Sequence, residues 1–246
     1  MKIAAFRKRL RLLDLWTGRY LGKALGVVRV SFDSNLEKIG GTAQSQTQHK
    51  NKRKMNMSKI IVTEFVSLDG VIEAPGGGED FKHAGWTFKI SRGKDGDQFK
   101  LDETRDSEAL LLGRVTYEGF AAAWPSLKGD FADKLNSMPK FVVSSTLKEP
   151  EWNNSTVLKG DVVVEVQKLR QRLDGNIVVH GSAQLVQTLV EHDLVDELRL
   201  MVFPVILGTG KRLFGNMSDK KSLRLVSSKT VGDGVVILIY ELARDK

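Results

Sequence analysis

From residue 58 onward, hydrophobic and polar positions follow two different patterns along the chain. Short apolar runs rich in Val, Ile and Phe predict β-strands, and longer stretches with apolar residues at helical spacing predict α-helices. The predicted strands are Ile60–Val66, Ala109–Leu112, Phe141–Ser144, Ile177–His180, Glu197–Phe203, Leu223–Lys229 and Val235–Leu242. The predicted helices are Asp95–Asp106, Thr116–Trp124, Asp130–Met138, Val162–Leu173 and Ala183–Glu191.

The order of these elements predicts an α/β fold. Helical or long segments separate the first four strands, which favours parallel pairing because a parallel connection needs a crossover. The last two strands are joined at Gly232-Asp233-Gly234, and Asp-Gly is typical of a tight hairpin. We therefore expect one domain at residues 58–246, with a mixed, mainly parallel sheet and an antiparallel C-terminal hairpin.

The net charge of +8 is distributed unevenly along the sequence. Residues 1–57 carry 13 Lys and Arg against three acidic residues, whereas the remainder carries 25 basic and 27 acidic residues. The long-range field of the domain is therefore close to neutral, which argues against nucleic acid as its partner.

Residues 1–57 are predicted to be a basic extension outside the domain. They hold no apolar run near the ~20 residues that span a bilayer, so no membrane partner is expected. The segment is compatible with a transit peptide or a polyanion-binding tail. A start of the natural chain at Met55 or Met57 is the favoured alternative, because Met57 leads directly into the first strand. We expect the domain to be cytoplasmic.

The composition excludes several kinds of chemistry. Without Cys the chain has no disulfides, thiolate metal sites or cysteine nucleophile, and its four His show no i, i+4 pair, so no metal is expected. It also lacks a G-x-G-x-x-G, a P-loop and a G-x-S-x-G motif. Hydride transfer remains open, because it needs a bound nicotinamide and no protein nucleophile.

Two of the predicted strand ends carry residues suited to an anion. In open α/β sheets, ligands bind at the carboxyl ends of the strands. Gly113, Arg114 and Thr116 follow the second strand, where a glycine, a cation and a hydroxyl at a helix start could hold phosphate. Gly181 and Ser182 repeat the arrangement before another helix. Together they could bind one pyrophosphate; the alternative is two ordinary glycine turns.

Other candidates lie in neighbouring loops. Ser144 and Ser145 end the third strand and could contact a ribose, although serine is also common in turns. Trp86 and Phe88 could form an apolar wall for a heteroaromatic ring, and Lys211 could bind an anionic substrate tail. Each of these has an ordinary alternative, as a hydrophobic anchor or a solvated turn.

Taken together, the junctions resemble those of a known superfamily. The similar segments are Ser67-Leu68-Asp69-Gly70, Leu111-Leu112-Gly113-Arg114-Val115-Thr116-Tyr117-Glu118, Val142-Val143-Ser144, Val179-His180-Gly181-Ser182, and 194–200 running into 204–214. In this order they resemble the dihydrofolate reductase-like superfamily, and within it the stand-alone branch of the RibD C-terminal, riboflavin biosynthesis reductase, family. The resemblance covers residues 58–242.

The resemblance implies a three-layer α/β/α domain that binds NADPH. By analogy, Gly113, Arg114 and Thr116 would contact phosphates, Ser144 and Ser145 the adenosine ribose, and Gly181 with Ser182 the pyrophosphate. Asp69 would be the catalytic residue, orienting substrate or a proton-donating water. The deaminase domain of the bifunctional riboflavin protein has cysteine ligands, so this chain resembles the reductase part alone.

We therefore expect an NADPH-dependent reductase of a pterin-like or pyrimidine-like substrate. The nearest family chemistry is reduction of the phosphoribosylamino-pyrimidine intermediate of riboflavin biosynthesis. The alternative is a non-catalytic module for nucleotide binding or dimerisation, since Gly181-Ser182 replaces the family's frequent Gly-Gly pair. A homodimer is expected, with Val195–Phe203 as a candidate interface strand.

Overall fold

The computed structural model describes residues 57–215 and 217–243. Their strands are β1 (Ile60–Ser67), β2 (Ser107–Gly113), β3 (Lys140–Val143), β4 (Ser155–Leu158), β5 (Asn176–His180), β6 (Glu197–Phe203), β7 (Leu223–Val231) and β8 (Val235–Leu242). Their α-helices are α1 (Gly93–Arg105), α2 (Arg114–Ala123), α3 (Asp130–Ser137), α4 (Val162–Arg172) and α5 (Ala183–Glu191). Short 3-10 turns lie at Trp86–Lys89 and Trp124–Ser126. The predictions made for residues 1–56 lie outside the described residues.

The strands form a single sheet in the order β4-β3-β2-β5-β1-β6-β8-β7. All pairs from β4 to β6 are parallel, whereas β8 runs antiparallel to both β6 and β7. Strands β2 and β5 are neighbours in the sheet. After β2 the chain continues to β3, toward one edge of the sheet, whereas after β5 it passes β1 and continues to β6, toward the other edge. The gap between the ends of β2 and β5 is therefore a point where the direction of winding reverses.

Helices cover both faces of the sheet. Leu111, on β2, packs on one face with buried residues of α4 and α5. Its neighbours Leu110 and Leu112 point the other way and pack with α2 and α3. Strand residues alternate between faces, so a strand buried on both sides reads as a continuous apolar run. The predicted three-layer α/β/α architecture with an antiparallel C-terminal hairpin is confirmed.

The sequence analysis missed one strand, and the strand that it named as a candidate interface lies inside the sheet. The sequence analysis missed β4 because Ser155–Leu158 is only four residues long and lies half-exposed at the sheet edge. The candidate interface strand Val195–Phe203 contains β6, which pairs with β1 on one side and β8 on the other. An internal strand has no free edge to offer a partner. No described helix is both long and apolar enough to cross a membrane.

A buried lysine joins the β3–β4 edge of the sheet to α3. Lys140 is fully buried, and its ammonium group donates to the carbonyl oxygens of Asn136 at 2.9 Å, Met138 at 2.9 Å and Asn153 at 3.0 Å. It also lies 4.3 Å from the centroid of the Trp152 ring. Three carbonyl groups and an aromatic face thus replace the water that this cation leaves on folding.

We predict that Lys140→Met destabilises the domain by about 3 kcal/mol, because one buried and two partly buried hydrogen bonds from a charged donor to carbonyl groups are lost. Urea denaturation followed by tryptophan fluorescence measures the change. The matched control is Lys159→Met, at an exposed position, which should stay within about 0.5 kcal/mol of wild type. Equal denaturation midpoints for the two variants would contradict the role given to Lys140.

Candidate functional site

A cleft of about 1980 Å³ opens at the carboxyl ends of the parallel strands. It lies over the point where the winding reverses, which is where open α/β sheets bind ligands. Nine of the residues predicted from sequence line it, namely Phe88, Gly113, Arg114, Thr116, Ser144, Ser145, Gly181, Ser182 and Lys211. Asp69 and Trp86 are not among its lining residues.

The N-termini of α2 and α5 meet at the centre of the cleft because two residues there lack side chains. Gly181 has a φ of +56°, and a Cβ on it would lie 2.9 Å from Thr116 Oγ1. A Cβ on Gly113 would lie 3.2 Å from Ser182 Oγ. Since both distances are tighter than ordinary contacts, larger residues would push the two helix starts apart.

A short hydrogen-bond chain links the two helix starts. Ser182 Oγ accepts from the backbone N–H of Gly113 at 2.8 Å and donates to Thr116 Oγ1 at 3.0 Å. These bonds help to hold Ser182 at a φ of +62°, which is costly for a residue other than glycine. The N–H of Gly113 is therefore already used. No side chain caps either helix within the described residues, so the amides of both first turns are left without a capping partner, and the residues of these turns line the cleft.

Arg114, Ser144 and Ser145, the side chains predicted to contact phosphate and ribose, differ in how far their polar groups are already bonded within the protein. Arg114 is 43% exposed and pairs with Glu118, one turn later on α2, at 2.9 Å. Exposed pairs of this kind contribute little, so the guanidinium group can turn toward a ligand. Ser144 Oγ accepts from the amides of Thr146 and Leu147, whereas Ser145 is exposed. Ser145 thus offers the freer hydroxyl group.

Asp69 holds two loops together. Its carboxylate accepts from Ser67 Oγ at 2.7 Å and from the amides of Leu207 and Gly208 at 3.1 and 2.9 Å. These bonds, the Ser67 hydroxyl first, lower the pKa of Asp69 to about 2. An ionised carboxylate with its acceptor sites in use, outside the cleft lining, is suited to fixing the loops and not to donating a proton.

The remaining three candidates lie around the rim. Trp86 is buried and donates from its indole N–H to the carbonyl of Glu73 at 2.8 Å, so it anchors the loop beneath the cleft. Phe88 keeps its place in the cleft wall. Lys211 pairs with the Glu73 carboxylate at 2.9 Å, and this bond raises the pKa of Lys211. An anionic substrate group would have to compete with Glu73 for Lys211.

The structure adds a buried polar cluster at the floor of the cleft that sequence reasoning missed. It consists of Thr63 and Glu64 on β1, Lys100 on α1 and His180 at the end of β5, all of which line the cleft. Lys100 Nζ donates to Thr63 Oγ1 at 2.7 Å and pairs with Glu103 at 2.6 Å. The signal in the sequence was Glu64, the one charged residue of the mainly apolar strand β1.

Burial decides the protonation states within this cluster. It raises the pKa of the Glu64 carboxyl group from 4.5 to about 8, against the opposing attraction of Lys100. Burial, together with the charge of Lys100, holds the pKa of His180 well below its ordinary 6.5. Near neutral pH the floor therefore presents a neutral carboxylic acid and a neutral imidazole. The described residues contain no group of three or more acidic or His residues that could hold a metal.

Comparison with known proteins identifies related sequences and folds. A family model of the RibD C-terminal domain matches residues 58–237. The uncharacterized protein YyaP of Bacillus subtilis (strain 168) is 29% identical over 191 residues, covering 76% of this chain and 96% of the relative.

Two solved structures share the fold. One is named as a riboflavin biosynthesis protein from Shewanella sp. PV-4; it is 24% identical, with a TM-score of 0.62, and the match covers 76% of this chain and 99% of that one. RibD of Acinetobacter baumannii is 15% identical, with a TM-score of 0.53, over 76% of this chain and 59% of that one. At these identities the similarity establishes the architecture and not a shared substrate.

We predict that the contribution of Glu64 to the free energy of unfolding falls as the pH rises from about 4.5 to about 8, whereas His180, which stays neutral in the folded protein, contributes an opposing rise up to about pH 6.5. In this range folded Glu64 retains a proton that the unfolded chain releases, which gives a slope of up to about 1.4 kcal/mol per pH unit. Glu64→Gln cannot ionise, so its stability relative to wild type should increase across the range. Urea denaturation at half-unit pH steps measures this difference.

The matched control for this measurement is Glu149→Gln, at an exposed position, which should keep the wild-type slope. Parallel stability curves for wild type and Glu64→Gln would show that Glu64 ionises in the folded protein as it does in the unfolded chain.

Proposed function

The chain belongs to the RibD C-terminal domain family, and from that premise we propose that it is a reductase that uses a reduced nicotinamide dinucleotide. The substrate is a small heterocycle of the pterin or pyrimidine kind. The observation that carries the proposal is the pair of uncapped helix N-termini, α2 and α5, that meet across Gly113 and Gly181 in the cleft.

The residues at this point fit the pyrophosphate of a dinucleotide. Two helix starts present backbone N–H groups and the positive ends of two helix dipoles to the same space. Gly181 leaves the room that a Cβ would fill against Thr116, and Arg114 adds a cation at the rim. The cleft volume of about 1980 Å³ exceeds the roughly 300–1,000 Å³ of ordinary ligand pockets, which leaves space for cofactor and substrate together.

When bound, the reduced nicotinamide supplies a hydride. The protein contributes binding, orientation and control of protons. The helix starts and Arg114 bind the phosphates, Ser145 contacts the adenosine ribose, and Phe88 offers an apolar surface to a substrate ring. Lys211, released from Glu73, binds an anionic group at the substrate's far end. Asp69 supports this arrangement by holding the two loops that frame the cleft.

The proposal includes the identity of the cofactor, the reaction, and the oligomeric state and location of the protein. The cofactor is NADPH, with the additional phosphate on its adenosine ribose recognised by Ser144 and Ser145. The reaction nearest to the family's chemistry is reduction of the phosphoribosylamino-pyrimidine of riboflavin biosynthesis. The active protein is a homodimer in the cytoplasm, and its mass in solution can be measured by light scattering.

We predict that NADPH binds to the protein more tightly than NADH and that Arg114→Ala weakens NADPH binding at least tenfold, or about 1.4 kcal/mol. The reason is the loss of a charge-assisted contact to phosphate. Calorimetric titration of both nucleotides measures the affinities.

Arg105→Ala is the matched control for this titration. Arg105 is 49% exposed and paired with Asp130, much as Arg114 is paired with Glu118, but it does not line the cleft. Its affinity for NADPH should equal that of wild type. Failure of the folded protein to bind either nucleotide would refute the cofactor assignment and leave the fold as a module for another ligand.

A further inference from the structure

Glu64 carries a carboxyl oxygen that no other group in the described residues satisfies. The residue is 5% exposed, and its Oε1 atom is buried without a hydrogen-bond partner. The backbone N–H of Gly181 interacts with the carboxyl group and lowers its pKa, against the larger effect of burial. Glu64 is also one of the residues that line the cleft, so its side chain borders the space in which a ligand would bind.

The arrangement differs from that of a structural ion pair. Lys100 is the nearest cation, but its hydrogen bond goes to Thr63 and its short ion pair goes to Glu103. A buried polar group without a partner costs about 1–3 kcal/mol. A leucine or valine at this strand position would avoid that cost, and the rest of β1 is apolar on the same face. The carboxyl group therefore requires an explanation other than stability.

The surroundings of Glu64 support both of its protonation states. Burial favours the neutral acid, whereas the Gly181 N–H, the N-terminal end of α5 and the charge of Lys100 all favour the carboxylate. The other charged groups nearby are Glu103 on α1, which opposes ionisation, and Arg199 on β6, which lies 4.0 Å from Glu103. The His180 imidazole, on β5, is neutral and leaves this balance unchanged.

We propose that Glu64 is the catalytic acid of the cleft, donating its proton to the ring nitrogen or carbonyl oxygen of a substrate whose adjacent carbon receives the hydride. This inference rests on the proposed function. The substrate class is then a heterocycle with a reducible C=N or C=O bond, whose nitrogen or oxygen accepts the proton and whose carbon accepts the hydride.

The step balances in atoms and electrons. The substrate carbon gains a hydride, with its two electrons, from the reduced nicotinamide, which leaves as the oxidised form. At the same time the Glu64 O–H bond breaks and a new N–H or O–H bond forms on the substrate, so the C=N or C=O bond becomes a single bond. The Gly181 N–H and Lys100 stabilise the resulting carboxylate, which regains a proton from solvent when the product leaves.

The first test needs no substrate. Protein labelled with ¹³C at the glutamate carboxyl carbon is titrated from pH 5 to pH 10, and infrared difference spectroscopy follows the C=O stretch of protonated carboxyl groups. One band should persist at pH 7 and disappear with a midpoint near 8. Glu64→Gln should lack this band, and Glu103→Gln should retain it. Absence of any such band from wild type at pH 6 would overturn the proposal.

The second test separates this proposal from the proposed function. With a heterocycle that wild type reduces, Glu64→Gln should lower kcat by about 10²–10⁴-fold, the range for general acids, while KM stays within threefold. The kcat of wild type should fall tenfold per pH unit above about 8, and Glu64→Gln should lack this fall. A kcat within threefold of wild type would overturn the catalytic role.

Binding of NADPH provides the control for both tests. Glu64→Gln should bind NADPH within twofold of wild type, because Glu64 is placed on the substrate and not on the phosphates. If wild type does not bind NADPH, the proposed function is refuted, even if Glu64 titrates near pH 8. If wild type binds NADPH but Glu64 is already ionised at pH 6, only the proposal that Glu64 is the catalytic acid is refuted.

Discussion

The cleft depends on the absence of side chains at the ends of β2 and β5. A Cβ at Gly181 would lie within 2.9 Å of Thr116, so this contact exists only because both Gly113 and Gly181 are glycine. The helices that follow lie on opposite faces of the sheet, yet their first turns open into the same space. One local packing constraint thus converts two ordinary strand–helix junctions into a single site suited to an anion.

The Glu64 carboxyl group lies beside this anion site, and its pKa is set by close packing and not by open space. The glycines leave the backbone amides open, whereas the packing around Glu64 excludes water and keeps its carboxyl group neutral. Gly181 connects the two regions, because it lines the cleft and its backbone N–H favours the ionised form of Glu64. Loss of stability near neutral pH and readiness to transfer a proton are, in this account, two consequences of the same buried acid.

Much of the fold could be predicted from the sequence because its central parallel strands are buried on both faces and read as nearly continuous apolar runs. The short edge strand β4 could not, since four half-exposed residues give no such pattern. The strand-end residues Arg114 and Gly181 were found because parallel strands collect their carboxyl ends at one edge. Asp69 was predicted from a motif and Trp86 from its aromatic side chain, and neither signal reports which hydrogen bonds a side chain already makes.

Glu64 was missed for a related reason. Within β1 its charge interrupts the apolar pattern by a single residue, and sequence cannot distinguish a carboxylate that reaches solvent from one enclosed by α1 and the end of β5. Its role emerges only when Lys100, Gly181 and Glu103 come together around it. These residues are between 36 and 117 positions away along the chain, so no local window includes all of them.

The central claim is that one site, formed by the starts of α2 and α5, binds the nicotinamide dinucleotide. Amide chemical-shift mapping of ¹⁵N-labelled protein during addition of NADPH tests it most directly. The account predicts the largest shifts at 114–116 and 181–184, with little change in β7 and β8. Shifts centred elsewhere, or none at saturating nucleotide, would contradict it.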